Sequence, residues 1–218
     1  TLKNEGINRI NVMVCTHPHA DHVGGLIKVL QEFPVDNVYD SAKPYSSKTY
    51  EDYLRLIYEK GIPFLKARAG DEIYLDESLK ISVIWPPSAD TEDRFHIERL
   101  SVNDASIILH ISYKDSTILL TGDAEKIVEK ELIRRNEIFK SQVLKVGHHG
   151  SITSSSQGFI DMVNPEISVI CVGRNNPYGY PHYEVIKMLN SIGCKILRTD
   201  IEGDIVLKSD GNTWRVEL

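Results

Sequence analysis

Apolar and polar residues follow two periods along this chain. Residues 9–15 read as a mostly apolar strand, and from Gly24 through Leu30 the apolar positions recur at the spacing of an amphipathic helix. The same reading predicts strands near 64–68, 80–85, 106–113, 116–121, 143–147, 167–172, 195–199 and 204–208. Helices are expected near 24–33, 48–60, 124–136, 155–163 and 182–192. Strand and helix alternate in the second half, which implies an α/β fold with sheets covered by helices. The longest irregular stretch, 86–102, is polar and charged and is expected to form a loop over the functional site. No repeat or low-complexity linker interrupts the pattern, so residues 1–218 are predicted to form one domain.

Composition narrows the class. At 218 residues and 41% hydrophobic, the chain can bury a substantial core. No window reaches the roughly 20 consecutive apolar residues of a membrane-spanning helix, and no signal peptide is visible, so a soluble domain without a membrane segment is expected. Cys15, Cys171 and Cys194 are far apart and read as small apolar residues rather than a disulfide framework. A net charge of −6 argues against a surface that grips nucleic acid through broad electrostatics.

The candidate chemistry lies between the first strand and the first helix. Thr16-His17-Pro18-His19-Ala20-Asp21-His22-Val23-Gly24-Gly25 places three imidazoles and one carboxylate within six residues. These are ligands that zinc and similar divalent cations prefer, and a short loop can aim alternate side chains at two neighbouring points. A solvated loop gains nothing from this spacing, so one or two bound metals are expected. The two glycines are expected to let the helix start close to the metals without an intervening side chain.

This His-x-His-x-Asp-His motif resembles the hallmark of the metallo-β-lactamase superfamily. The run Leu144 to Ser151, Leu120-Thr121-Gly122-Asp123, the segment Asn103 to Leu109, Asn176-Pro177-Tyr178-Gly179 and Arg198-Thr199-Asp200 are similar to its ComEC-type branch. That branch includes the hydrolase domain of the DNA-internalisation competence protein and free-standing relatives. The resemblance implies an αββα sandwich that lacks its first N-terminal strands, because only sixteen residues precede His17. It leaves open a fragment of a longer, membrane-bound protein, hence extracytoplasmic, or a free-standing cytoplasmic one. An incomplete sheet edge raises the expectation of a homodimer.

The resemblance further implies that His17 and His19 hold one metal, and Asp21 and His22 the other. Asp123, at a strand end beside a glycine, is expected to bridge them, the alternative being a helix N-cap. Adjacent side chains on an extended segment point opposite ways. One of His148 and His149 should therefore touch metal; His148 is assigned there and His149 to catalysis at the substrate. Asp21 and Asp123 are expected to orient the attacking hydroxide. His182 is expected either to protonate a leaving group or to sit in a helix's first turn without function. Asn103, Ser106, Ser151, Asn176 and Tyr178 are assigned to substrate, with Asn103 and Ser106 standing where other superfamily members carry a further histidine. The serines at 151 and 154–156 precede a helix and favour N-capping over anion binding, and Arg174 or Lys145 is available to a substrate phosphate.

These assignments predict a metal-dependent hydrolase with two divalent ions, zinc or manganese, acting on single-stranded DNA or a smaller phosphodiester. A lactam, lactone or thioester hydrolase is the alternative on the same fold. A non-catalytic metal-binding interaction module is disfavoured, because structural zinc sites are normally cysteine-rich.

Overall fold

Strand β1 (Ile10–Cys15) turns Met13 and Cys15 inward and pairs in parallel with β2 (Val35–Asp40), which pairs in parallel with β3 (Phe64–Lys66). Parallel neighbours need a crossover. Helices α1 (Ala20–Glu32) and α2 (Lys48–Glu59) supply them. α1 buries Val23 and Leu30, one helical repeat of seven apart, and α2 buries Tyr50, Tyr53 and Ile57 on a single face. With Met13, Cys15, Val35 and Val38 these side chains form one core. The Ser47 hydroxyl accepts the Tyr50 N–H at 3.2 Å and so starts α2.

The computed structural model describes residues 2–88, 95–137 and 140–218. Its contacts divide the chain into two compact units, Thr1–Ala69 with Trp85–Ile107, and Gly70–Ile84 with Ile108–Leu218. The second unit is built on a seven-stranded sheet in the order β10-β9-β8-β7-β6-β5-β4. In it β4 (Glu72–Asp76) pairs antiparallel with β5 (Leu79–Trp85), and β6 (Ile108–Tyr113) antiparallel with β7 (Ser116–Leu120). From β7 onward the sheet is parallel through β8 (Val143–Lys145), β9 (Ile167–Ile170) and β10 (Lys195–Arg198). The crossovers are α3 (Lys126–Arg135), α4 (Gln157–Val163) and α5 (Tyr183–Ser191), whose Val128, Leu132, Ile160, Val185 and Leu189 are buried. A one-turn helix α6 (Thr199–Glu202) and a separate hairpin, β11 (Val206–Ser209) with β12 (Trp214–Glu217), follow.

Within each unit this topology positions the candidate donors. The carboxyl ends of adjacent parallel strands lie on one edge, and in open α/β sheets ligands bind outside those ends. β1 runs into His17, β7 into Asp123, β8 into the pair His148-His149, and β9 into Cys171.

Several sequence expectations shift. α1 begins at Ala20 rather than near 24, so Asp21 and His22 stand in its first turn, where a carboxylate suits the positive end of the helix dipole. β2, β4 and β12 had no clear strand pattern: β2 reads Val-Asp-Asn-Val-Tyr-Asp, and in β4 only Ile73 is buried. Of the expected 86–102 loop, residues 89–94 lie outside the described residues. A Cβ at Gly24 or Gly25 would meet open space, so neither is required by close packing.

Leu30 is fully buried in the first unit's core, so Leu30→Ala should lower unfolding free energy by about 2–5 kcal/mol. Urea denaturation followed by circular dichroism checks this, and an unchanged midpoint would contradict the packing described.

Candidate metal centre

The first unit's donors lie on the turn between β1 and α1. His19 is the extended residue that precedes the helix, with φ −65° and ψ 147°. His17 is fully buried, and its Nε2 lies 3.1 Å from His19 Nδ1. On its other side His17 Nδ1 faces two hydroxyls, Thr16 Oγ1 at 3.1 Å and Ser106 Oγ at 3.2 Å. His22 Nδ1 lies 3.4 Å from the same Thr16 hydroxyl, and its Nε2 is 3.7 Å from Asp21 Oδ2. The motif therefore folds into two donor pairs, His17 with His19 and Asp21 with His22. Zinc–nitrogen bonds of about 2.0–2.1 Å and zinc–oxygen bonds of about 2.0–2.2 Å let either pair share one cation.

Ser106 is held against this loop by its own backbone surroundings. The Ile107 N–H donates to Thr16 O at 2.9 Å, and the Ser106 N–H donates to Asn103 O at 2.9 Å. Ser106, expected from sequence to meet substrate, is fully buried behind His17, and Asn103 shapes the turn that presents it. The sequence reading missed Thr16. A hydroxyl immediately before the first histidine was its available signal.

In the second unit, Asp123 is almost fully buried just beyond β7. Its Oδ1 lies 3.5 Å from Lys145 Nζ, an ammonium that also donates to Gly122 O at 2.7 Å. Its Oδ2 lies 3.3 Å from His149 Nε2. His149 Nδ1 is 2.6 Å from the Cys171 carbonyl. A carbonyl only accepts, so Nδ1 carries a proton and Nε2 is the ring nitrogen turned toward the carboxylate oxygen. His148 turns elsewhere, its Nδ1 3.0 Å from Thr153 Oγ1 and 3.2 Å from Glu125 Oε1, and burial pulls its pKa below the ordinary imidazole value.

The backbone is the reason these neighbours diverge. His148, His149 and Gly150 have φ of +46°, +55° and +82°, so the pair is not extended and the alternation expected from sequence does not apply. Left-handed non-glycine residues cost on the order of 1–3 kcal/mol each and persist only where the surroundings hold them. Here His148 N–H donates to Gly122 O at 3.3 Å, and His182 N–H donates to Gly150 O at 2.9 Å. A Cβ at Gly150 would lie 2.5 Å from that of Pro181.

His182 accepts the Ile152 N–H on Nδ1 at 3.0 Å, which leaves the proton of the neutral ring on Nε2. Tyr180 packs 5.2 Å from His182 and 5.5 Å from His148, between centroids. Asn176 spends its amide on the loop, donating to Gly173 O and Tyr180 O and accepting the Tyr180 N–H. Tyr178 is exposed and stacks on Tyr180. Ser151 is buried and its hydroxyl pairs with Thr153. The helix start at 155–156 receives the buried Glu129 carboxylate, which accepts both the Ser155 and Ser156 N–H. That carboxylate occupies the place where an anion was considered, and neither serine side chain caps the helix. Thr199 accepts the Val172 N–H and donates to Val172 O, fixing the strand end beside Cys171, while Arg198 pairs with Asp200. Arg174 donates to Asp200 O.

Residues 1–174 match the family description of the metallo-beta-lactamase superfamily. The chain belongs to that superfamily. It is 30% identical over 204 residues to "ComE operon protein 3" of Bacillus subtilis, covering 94% of this chain and 25% of that protein. It is 29% identical to "Recombination protein 2" of Haemophilus influenzae, again over 94% of this chain and 23% of the relative. These relatives place it in the ComEC-type branch, and the chain spans about a quarter of their length. Among solved structures, CmlA from Streptomyces venezuelae matches 88% of this chain and 44% of its own with a TM-score of 0.60 at 12% identity, a likeness of fold alone. Superfamily members bind divalent metals, and both donor sets fit that chemistry: paired imidazole and carboxylate donors, no cysteine, and far-side ring nitrogens held by the protein. Among the described residues no helix is long and apolar enough to cross a membrane.

Outer hydrogen bonds to metal-ligating histidines typically contribute 10–100-fold in affinity. Ser106→Ala should therefore weaken zinc or manganese binding by about 10-fold while preserving the fold. Calorimetric titration of the metal-depleted protein measures this, and unchanged affinity would contradict the role given to Ser106.

Proposed function

We propose that this chain is a metal-dependent phosphodiesterase acting on single-stranded DNA or a related phosphodiester. The observation that carries the proposal is a cysteine-free set of histidine and aspartate donors in a chain whose competence and recombination relatives match over almost its whole length. His17 and His19 are assigned to one cation, Asp21 and His22 to a second, and Asp123 is the carboxylate donor of the second unit. His149 joins this set in place of His148, because its Nε2 faces Asp123 while His148 faces Thr153 and Glu125.

When bound, the two cations supply Lewis acidity to the phosphoryl group and a nucleophile at neutral pH. The protein's own groups do the rest. Asp21 and Asp123 accept hydrogen bonds from the attacking water and orient it. The Cys171 carbonyl keeps the His149 proton on Nδ1. His182 keeps its proton on Nε2 and is assigned to hydrogen-bond the departing oxygen, which takes its proton from water, with Tyr180 packed against the ring. Ser106, Ser151 and Asn176 support these loops, and Tyr178 is the exposed residue of the group that remains available to substrate. Manganese is expected to serve beside zinc, because the set is free of thiolate and includes the carboxylates of Asp21 and Asp123.

The test is hydrolysis of a single-stranded oligonucleotide and of bis(p-nitrophenyl) phosphate by metal-depleted protein, with and without added manganese or zinc. Cleavage should require metal. Asp123→Asn and His149→Ala should each lose on the order of 100-fold or more, and His148→Ala distinctly less. Rapid hydrolysis of a lactam or thioester with no phosphodiester cleavage would overturn the substrate class. Equal losses for the two histidine variants would overturn the choice of His149.

A further inference from the structure

The geometry points to a base-stacking subsite in the first unit, an open groove that takes one unpaired nucleobase of the polynucleotide whose phosphate reaches the His17–His22 loop. It rests on the phosphodiesterase reading and specifies how that substrate is recognised. The groove has a volume of about 420 Å³ and is lined chiefly by Pro44, Tyr45, Tyr50, Leu54 and Phe64. Tyr45 and Phe64 are each a little more than a third exposed, so their rings are accessible from the groove.

Two features select the occupant. First, the groove adjoins the candidate metal loop: the Tyr45 ring stands edge-on to His19 with centroids 5.7 Å apart. A base and its phosphate are separated by one sugar, so a base in the groove leaves its phosphate beside His19. Second, the stretch that lines the groove is basic in an acidic chain. Residues 41–69 carry Lys43, Lys48, Arg55, Lys60, Lys66 and Arg68 against Glu51, Asp52 and Glu59, a balance of +3 in a chain whose net charge is −6, with Lys48 paired to Asp52 at 2.7 Å. A neutral acyl or aryl group gains nothing from those charges, but a polyanion does. Aromatic faces with flanking cations are how single strands are held without sequence preference, each stacked base contributing about 1–3 kcal/mol.

The groove is also held in shape from behind. Tyr50 is almost fully buried and donates its hydroxyl to Asp40 Oδ1 at 3.0 Å. The Ala42 N–H donates to the same oxygen at 2.7 Å, which fixes the start of the 41–47 loop. Lys43 donates to the carbonyls of Ile97 and Glu98 at 3.0 and 2.8 Å, tying that loop down at a second point. Arg68 donates to Ser41 O at 2.9 Å and joins the two ends of the stretch.

The experiment uses the full chain without metal, so that no cleavage interferes. Anisotropy of a fluorescein-labelled oligothymidylate measures binding, beside an abasic oligomer with the same phosphates. Tyr45→Ala and Phe64→Ala should each weaken oligothymidylate binding by about 5- to 100-fold, with Tyr45→Phe close to wild type. The abasic oligomer should bind wild type as weakly as those variants bind oligothymidylate. Tyr58→Ala, at an exposed α2 residue outside the groove, should bind like wild type. Circular dichroism confirms that each variant is folded. Equal wild-type affinity for the two oligomers, unchanged binding in both alanine variants, or no measurable binding overturns the subsite. Base-dependent binding by a protein that cleaves no phosphodiester would instead refute the function proposed above and leave the subsite standing.

Discussion

An imidazole is a metal donor only if its proton is kept on the other nitrogen, and the metal chemistry proposed for each unit depends on that constraint. His149 meets it with the Cys171 carbonyl, and His17 is held through Nδ1 by the Thr16 and Ser106 hydroxyls. Each partner comes from a distant part of the chain or from a strand end. Second-layer partners of this kind fix ring orientation and ligand basicity. Much of the surrounding structure follows from presenting them: Ile107 locks the Ser106 turn to Thr16, and Thr199 anchors the strand end that carries Cys171.

The two units reach this result by the same topological means. Parallel strands deliver their carboxyl ends to one edge, and the turns there carry donors while the following helices bury apolar faces. The cost falls on the segment after β8, where two histidines and a glycine take left-handed conformations. That strain is localised at the candidate chemistry and is held by hydrogen bonds to Gly122 and from His182.

The first motif was legible from sequence because its residue types and spacing have no cheap structural alternative, and the strand-end placement of Asp123 and of the histidine pair was legible from the apolar runs before them. The orientation of that pair was not. Alternation assumes extended backbone, and Gly150 gave only an indirect sign of the left-handed turn. The work of Ser106 and Asn176 also depends on partners brought close by the fold, and in sequence they look like any polar residue near a motif. β2 and β4 escaped because their pairing, rather than an apolar run, makes them strands. The groove escaped too, since Tyr45 and Phe64 sit on opposite sides of α2 in the chain.

The central claim is that the four donors of the first motif hold a pair of coupled cations. Electron paramagnetic resonance of the protein titrated with manganese tests it most directly. The account predicts the spectrum of an exchange-coupled pair at full loading, with ions about 3.5–4 Å apart, reverting to that of an isolated ion in Asp21→Asn. Two magnetically independent manganese ions at full loading in the wild type would contradict it.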